Sequence, residues 1–167
     1  MNQTYSSADT SINSTRLPAV YSKINFLNAQ DIVLDYGCGK FNNAKEFVEK
    51  EFDAMWHGYD PFNRSIAENT AALACNPTYI ICSNVLNTID SVEEIQRIAN
   101  YIRSYKVPYF ITIYEGNKSG KGRATKKDCY QRNESVLAYL KYFPDAIIKY
   151  GVITNASWLL DRKKLSA

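Results

Sequence analysis

The chain has a single histidine, so a histidine-rich metal site is not available to it. Its four cysteines, Cys38, Cys75, Cys82 and Cys129, form no CxxC pair and no metal-ligand spacing. Three of them sit in or beside apolar segments, where free cysteine behaves as a small hydrophobe, and this usage reads as a reducing, cytoplasmic setting. No apolar run approaches membrane-spanning length, and the first residues lack the apolar core of a signal peptide; neither a membrane segment nor a leader is expected. Repeats and low-complexity tracts are missing too. A net charge of +3 is mild and neither demands nor excludes an anionic partner. The one excess is tyrosine, with thirteen. At 167 residues the chain is one domain with room for a substantial core.

The informative stretch runs from Asp31 to Asp60. Ile32-Val33-Leu34 reads as a short buried strand, and Asp35-Tyr36-Gly37-Cys38-Gly39 as a two-glycine turn handing over to a helix. Asn42-Asn43 is placed to cap that helix, with Phe47, Val48 and Phe52 on one face. A second strand, Ala54 to Tyr59, ends in Asp60. Such a unit suits a nucleotide-like ligand: glycines let the backbone come close, and an acid about 20 residues on accepts from ribose hydroxyls. Dinucleotide fingerprints keep a third glycine, and Phe41 stands in its place, which argues against a pyrophosphate across the turn. Asp35 suits an ammonium group. S-adenosylmethionine combines ribose and ammonium without phosphate.

Residues 1–16 lack apolar periodicity and read as a flexible arm, or a lid over the site, ahead of a single domain over 17–167. Leu17, Val20, Ile24 and Leu27 fall at helical intervals. Ser65 to about Ala74 predicts a helix broken by Asn76-Pro77, and Thr78–Cys82 the next strand. Ser91 caps an amphipathic helix whose inner face is Ile95, Ile98, Ala99 and Ile102. Tyr109–Tyr114 predicts a strand, Thr125 or Asp128 to Tyr142 a helix, and Ala146–Val152 with Ser157–Asp161 a terminal hairpin. The alternation gives an α/β fold: a Rossmann-like, mostly parallel sheet with helices on both faces and an antiparallel edge strand or hairpin at the C-terminus.

Three segments, LDYGCG at 34–39, GYDPFNR at 58–64 and CSNVLNTI at 82–89, together resemble class I S-adenosylmethionine-dependent methyltransferases. They are most similar to short methyltransferase-like proteins of phage and mobile elements, including those associated with DNA phosphorothioation. The resemblance covers residues 31–90 well and the rest loosely. It implies S-adenosyl-L-methionine as cofactor, with Asp35, Tyr36, Gly37, Cys38 and Gly39 around the methionine moiety. It places Asp60 and Pro61 at the ribose, and Ser83 and Asn84 near the sulfonium. Asn87 reads instead as a residue capping the strand-to-loop turn. The chain departs from the family's pattern at Phe41 and in having no evident adenine motif; the interval between Asp60 and Thr78 is too short for the strand that usually carries it.

No catalytic residue stands out. The chain lacks both the Asn/Asp-Pro-Pro-aromatic segment of amino-directed DNA methylation and a Pro-Cys nucleophile. The basic, glycine-bearing loop from Gly116 to Arg132 is the substrate candidate, through Lys118, Lys121, Arg123 and Arg132. Nucleic acid is the first acceptor to consider and a small molecule the second; Tyr114 and Glu115 are acceptor-side candidates. The alternative to an enzyme is a non-catalytic module of the same fold that binds cofactor or a protein partner, an inhibitor or scaffold of a mobile element, for which the tyrosines would suit an interface.

Overall fold

The computed structural model describes residues 3–6 and 16–162. Four parallel strands, β1 (Ile32–Tyr36), β2 (Met55–Tyr59), β3 (Tyr79–Ser83) and β4 (Tyr109–Thr112), form most of a six-stranded sheet. A separate antiparallel pair, β5 (Arg123–Lys126) and β6 (Cys129–Gln131), overhangs one end. The hairpin of β7 (Ile147–Lys149) and β8 (Val152–Thr154) completes the large sheet, whose order is β2-β1-β3-β4-β8-β7. No strand stands between β1 and β3, which pair directly with Asp35 opposite Ile81. The fold is α/β, mostly parallel, with an antiparallel hairpin at one edge.

Alternation along the strands sorts the core into two layers. Val33, Ile81, Phe110 and Val152 face one side, where they meet Val20, Tyr21 and Ile24 and the helix α1 (Asn43–Phe52) through Ala44, Val48 and Phe52. Leu34, Ile80, Ile111 and Ile153 face the other, against α2 (Ile66–Ala74) and α3 (Val92–Ser104). All four residues of the α3 stripe, Ile95, Ile98, Ala99 and Ile102, are buried, and each buried isoleucine contributes about 1.5–3 kcal/mol.

Local signals set the helix starts. Ser65 and Glu68 form a reciprocal capping box on α2, and the Ser91 hydroxyl accepts from the Glu94 N–H at 3.1 Å on α3. Asn42 does precede α1, yet its side chain makes no cap; its Oδ1 accepts from Arg64 instead, at 2.7 Å.

Three expected elements are different in the structure. Leu17–Leu27 holds only a short 3₁₀ turn, Ala19–Lys23, introduced by Pro18. The expected helix from 125 to 142 is the β5–β6 hairpin followed by a 3₁₀ segment, Val136–Tyr142. Asp128 and Asn133 have left-handed backbones, φ 59° and 56°, which no helix tolerates at two positions. The terminal hairpin lies within 147–154, turning at Tyr150-Gly151 (φ 53° and 75°), while Ser157–Asp161 is a 3₁₀ segment. Two consecutive positive φ values are the signature of the two-residue turn whose twist matches its strands.

Most of the N-terminal arm lies outside the described residues. Within 3–6, the Thr4 N–H donates to Asp90 Oδ1 at 3.1 Å and the Tyr5 ring stacks on Tyr130 at 5.3 Å. No helix of the described residues is long and apolar enough to cross a membrane.

Candidate functional site

The order of strands reverses beside β1, since β2 lies on one side of it and β3, β4 on the other. Ligands of open α/β sheets sit where strand order reverses, at the carboxyl ends of the strands. Here that edge consists of the glycine turn after β1, Asp60 after β2, Ser83-Asn84 after β3 and Tyr114-Glu115 beyond β4. It divides into a closed part and an open part.

The closed part is the turn itself. Gly37 has φ 84°, and a Cβ there would lie 2.2 Å from Val85 Cγ2, so the loop after β3 requires a glycine at this point. The N–H groups of Gly37 and Cys38 both donate to the Tyr59 carbonyl, at 2.7 and 3.2 Å. That of Gly39 donates to Asp60 Oδ2 at 3.0 Å. Asp60 Oδ1 accepts from the N–H groups of Phe62 and Asn63 and from Asn63 Nδ2, each at 3.0 Å. Four donors fill the capacity of a carboxylate.

Arg64 locks this arrangement. Its Nε donates to the Gly39 carbonyl at 2.8 Å, while its terminal nitrogens reach the Phe41 carbonyl and Asn42 Oδ1, both at 2.7 Å. The guanidinium carbon lies 5.6 Å from the Trp56 ring centroid. Only 7% of the Arg64 side chain is exposed. Its fork geometry satisfies three acceptors from different parts of the turn, a task lysine cannot perform.

Beneath the turn sits Asp35, 3% exposed. The Tyr21 hydroxyl donates to its Oδ2 at 2.5 Å, and the Trp56 indole N–H donates to that same hydroxyl at 3.1 Å. Burial pushes the Asp35 carboxyl up to about 6, although the Tyr21 hydrogen bond and the Arg64 charge pull it down. Burial raises the Tyr21 hydroxyl as well, reinforced by the Asp35 charge. The Cys38 thiol is likewise pushed up by burial and then by Asp35, which makes it a poor nucleophile near neutrality. A small hollow of about 30 Å³ opens beside Asp35, Gly37, Cys38 and Ser83, enough for a water molecule.

The open part adjoins it. Arg16, Pro18 and Ser83 are shared between that hollow and a cavity of about 660 Å³ at the ends of β3 and β4, roofed by the β5–β6 hairpin. Its volume falls in the range of small-molecule sites. Asn84 lines the cavity with a left-handed backbone, φ 57°, an uncommon conformation that asparagine adopts more readily than most residues. Behind it, Asn87 Nδ2 donates to Gln131 Oε1 at 3.0 Å and Gln131 Nε2 to the Tyr114 carbonyl at 2.9 Å. Ser83 and Thr112 hydroxyls bond at 2.9 Å across β3 and β4. Among the described residues none of those lining the cavity is an acid or a histidine.

Asp35, Gly37, Cys38 and Ser83 thus converge on the hollow, and Ser83 and Asn84 on the cavity. Gly39 and Asp60 are drawn into the closed turn. Tyr36 departs from the expected set: its side chain is buried on the opposite face of β1, 4.7 Å from the Tyr59 ring. That follows from the two-residue period, which sends Asp35 and Tyr36 to opposite faces. Pro61 is exposed on the turn after β2 and lines neither space.

Of the four expected substrate cations, Arg123 alone lines the cavity among the described residues. Lys118 pairs with Glu115 at 2.6 Å, and Lys121 is exposed on the loop before the hairpin. Arg132 is a structural tie. It donates to the Ile89 and Asp90 carbonyls at 3.2 and 3.1 Å and forks onto Glu134. Glu115 accepts from the Val136 N–H at 2.8 Å, whereas Tyr114 lines the cavity with 62% of its surface exposed. The residues missed from sequence are Tyr21, Trp56 and Arg64. Only Arg64 carried a signal, its place four residues after Asp60.

Comparison with protein-family models, curated proteins and solved structures finds no match for the chain.

Proposed function

We propose that the chain is a small S-adenosylmethionine-dependent methyltransferase of Rossmann-like fold, with its acceptor site in the cavity at the ends of β3 and β4. The supporting observation is the convergence of Asp35, Gly37 and Ser83 on a hollow that shares its wall with that cavity. Asp35 is buried and accepts from a tyrosine hydroxyl, a setting that the ammonium group of a ligand complements.

The fit to the cofactor needs the closed part of the edge to open, because the hollow beside Asp35 holds only about 30 Å³. Asp60, expected to hold the ribose, already accepts four hydrogen bonds. Three come from backbone N–H groups and the fourth from the Asn63 side chain, the one donor of the four that a ribose hydroxyl can replace without displacing a backbone group. When bound, the cofactor supplies an electrophilic methyl group. The chain's own residues then orient the acceptor and exclude water: Asn84 and Ser83 from the floor, the hairpin from above.

A second reading rests on the closed turn. With the Gly37, Cys38 and Gly39 N–H groups all spent internally, and neither acid nor histidine lining the cavity among the described residues, the same fold serves a protein that binds without transferring. Methyl transfer from labelled cofactor into nucleic-acid, protein and small-molecule fractions of a cell lysate separates the two. Label in any fraction, abolished by blocking the cavity with Thr125→Trp at its exposed hairpin wall, upholds the transferase. Cofactor binding without label in any fraction upholds the second reading.

A further inference from the structure

The β5–β6 hairpin is the least expected part of the molecule, and the site described above does not use its outer face. All four residues of β5 are exposed, and the pair stands apart from the main sheet. Segment 116–132 holds six cations and one acid, so its local charge exceeds the +3 of the entire chain. Two of the six are tied down, Lys118 by Glu115 and Arg132 by Glu134 and two carbonyls. Lys121, Arg123, Lys126 and Lys127 are exposed, and Arg123 and Lys126 also line the cavity.

The shape of the hairpin is fixed from within. A Cβ at Gly122 would lie 1.7 Å from the Tyr130 hydroxyl, and one at Gly116 would lie 2.0 Å from Asn133 Oδ1. The Asn133 side chain in turn donates to the Lys121 carbonyl at 2.9 Å, and the Gly120 N–H donates to the Asn133 carbonyl. The cations are therefore carried on an ordered ribbon. Beside it, the Tyr114 ring stands exposed at the cavity, while one face of Tyr130 is already covered by Tyr5.

We infer that the partner of this edge is a single-stranded nucleic acid, its phosphates along Arg123, Lys126 and Lys127, one base stacked on Tyr114 and the next nucleoside entering the cavity. This deepens the transferase reading by naming its acceptor class, and it rests on that reading only for the claim that the entering base is the acceptor. Charge complementarity selects a polyanion, and an exposed aromatic next to a basic track selects one with planar faces. A cavity of about 660 Å³ admits one nucleoside but not a duplex, so the strand must be single or locally opened. Polar groups at the cavity, Asn84, Asn117 and Thr125, offer hydrogen bonds to a base edge.

The test is fluorescence anisotropy of the full chain with labelled twelve-residue single-stranded DNA and RNA, with their duplexes, and with poly-glutamate as a charge control. The expected result is preferential binding of a single strand that weakens steeply with salt. Arg123→Ala should lower the slope of log affinity against log salt by about one. Tyr114→Ala should weaken binding about tenfold and leave that slope unchanged. Both positions are exposed, so neither variant threatens folding. No binding, equal binding of poly-glutamate, preference for duplex, or indifference to Tyr114→Ala overturns the inference. The assay contains no cofactor: oligonucleotide binding in a chain that fails to bind S-adenosylhomocysteine sinks the transferase reading alone, and the converse sinks this inference alone.

Discussion

The two halves of the carboxyl edge are built on opposite principles. Around Asp60 each polar group whose bonds are described above has a partner within the chain, and Arg64 ties three parts of the turn together. Around Asn84 and Tyr114 the sheet ends in a roomy, cation-bearing cavity under a ribbon that makes its own structure. A saturated turn is a frame; an open cavity is where a ligand gains hydrogen bonds that the protein has not already made. Rigidity thus belongs to the glycine turn, the motif that looked most functional in the sequence, while the open space lies under the basic loop that the sequence offered as the substrate candidate.

Breaking the frame should have the largest effect. Arg64→Ala leaves the Phe41 carbonyl without its donor and the Gly39 carbonyl with only the weak Cys38 thiol, and it removes a mostly buried side chain, an expected loss of about 3 kcal/mol by urea denaturation. Arg64→Lys should recover little of it, because a single ammonium cannot reach all three acceptors.

Asp35 comes next, through pH. Burial holds its carboxyl at about 6, above the ordinary 3.8, so the folded state binds that proton more tightly than the unfolded chain. The resulting stability is complete below pH 3.8 and is lost as the pH rises through about 6. Asp35→Asn keeps an acceptor for Tyr21 and never ionises. Between pH 4 and 7 it should gain about 2–3 kcal/mol relative to the parent, read from melts at each pH.

Gly37→Ala places a methyl group against Val85 at an unfavourable φ and should cost about 2 kcal/mol. Pairing it with Val85→Ala should recover the steric part and not the backbone part. The open half supplies the smallest effect: Arg123→Ala should change stability by less than about 0.5 kcal/mol, since its side chain is exposed. An equal loss there would erase the contrast between frame and cavity.

Much of the fold was legible because its core is written in apolar alternation. Val33/Leu34 and Ile80/Ile81 alternate between faces as strand residues must, and the Ile95–Ile102 stripe follows helical spacing. The failures have a physical cause. Over 129–135 the buried residues are Cys129, Gln131 and Asn133. Polar groups holding each other inside give no hydrophobic period, so a strand was read as a helix. The Tyr150-Gly151 turn was missed because tyrosine rarely takes a positive φ. At the site, the spacing from Gly39 to Asp60 correctly brought the two together. It did not reveal that they bond to each other, nor that Tyr21 and Trp56, from distant segments, would hold Asp35.

Calorimetric titration of S-adenosylhomocysteine at pH 7.5 tests the central claim most directly, comparing the parent chain with Asp35→Asn. One site per chain is expected in the parent, weakened at least tenfold in the variant even though the variant melts at a higher temperature. Absence of binding to the parent, or equal affinity in both, contradicts the placement of the ligand beside Asp35.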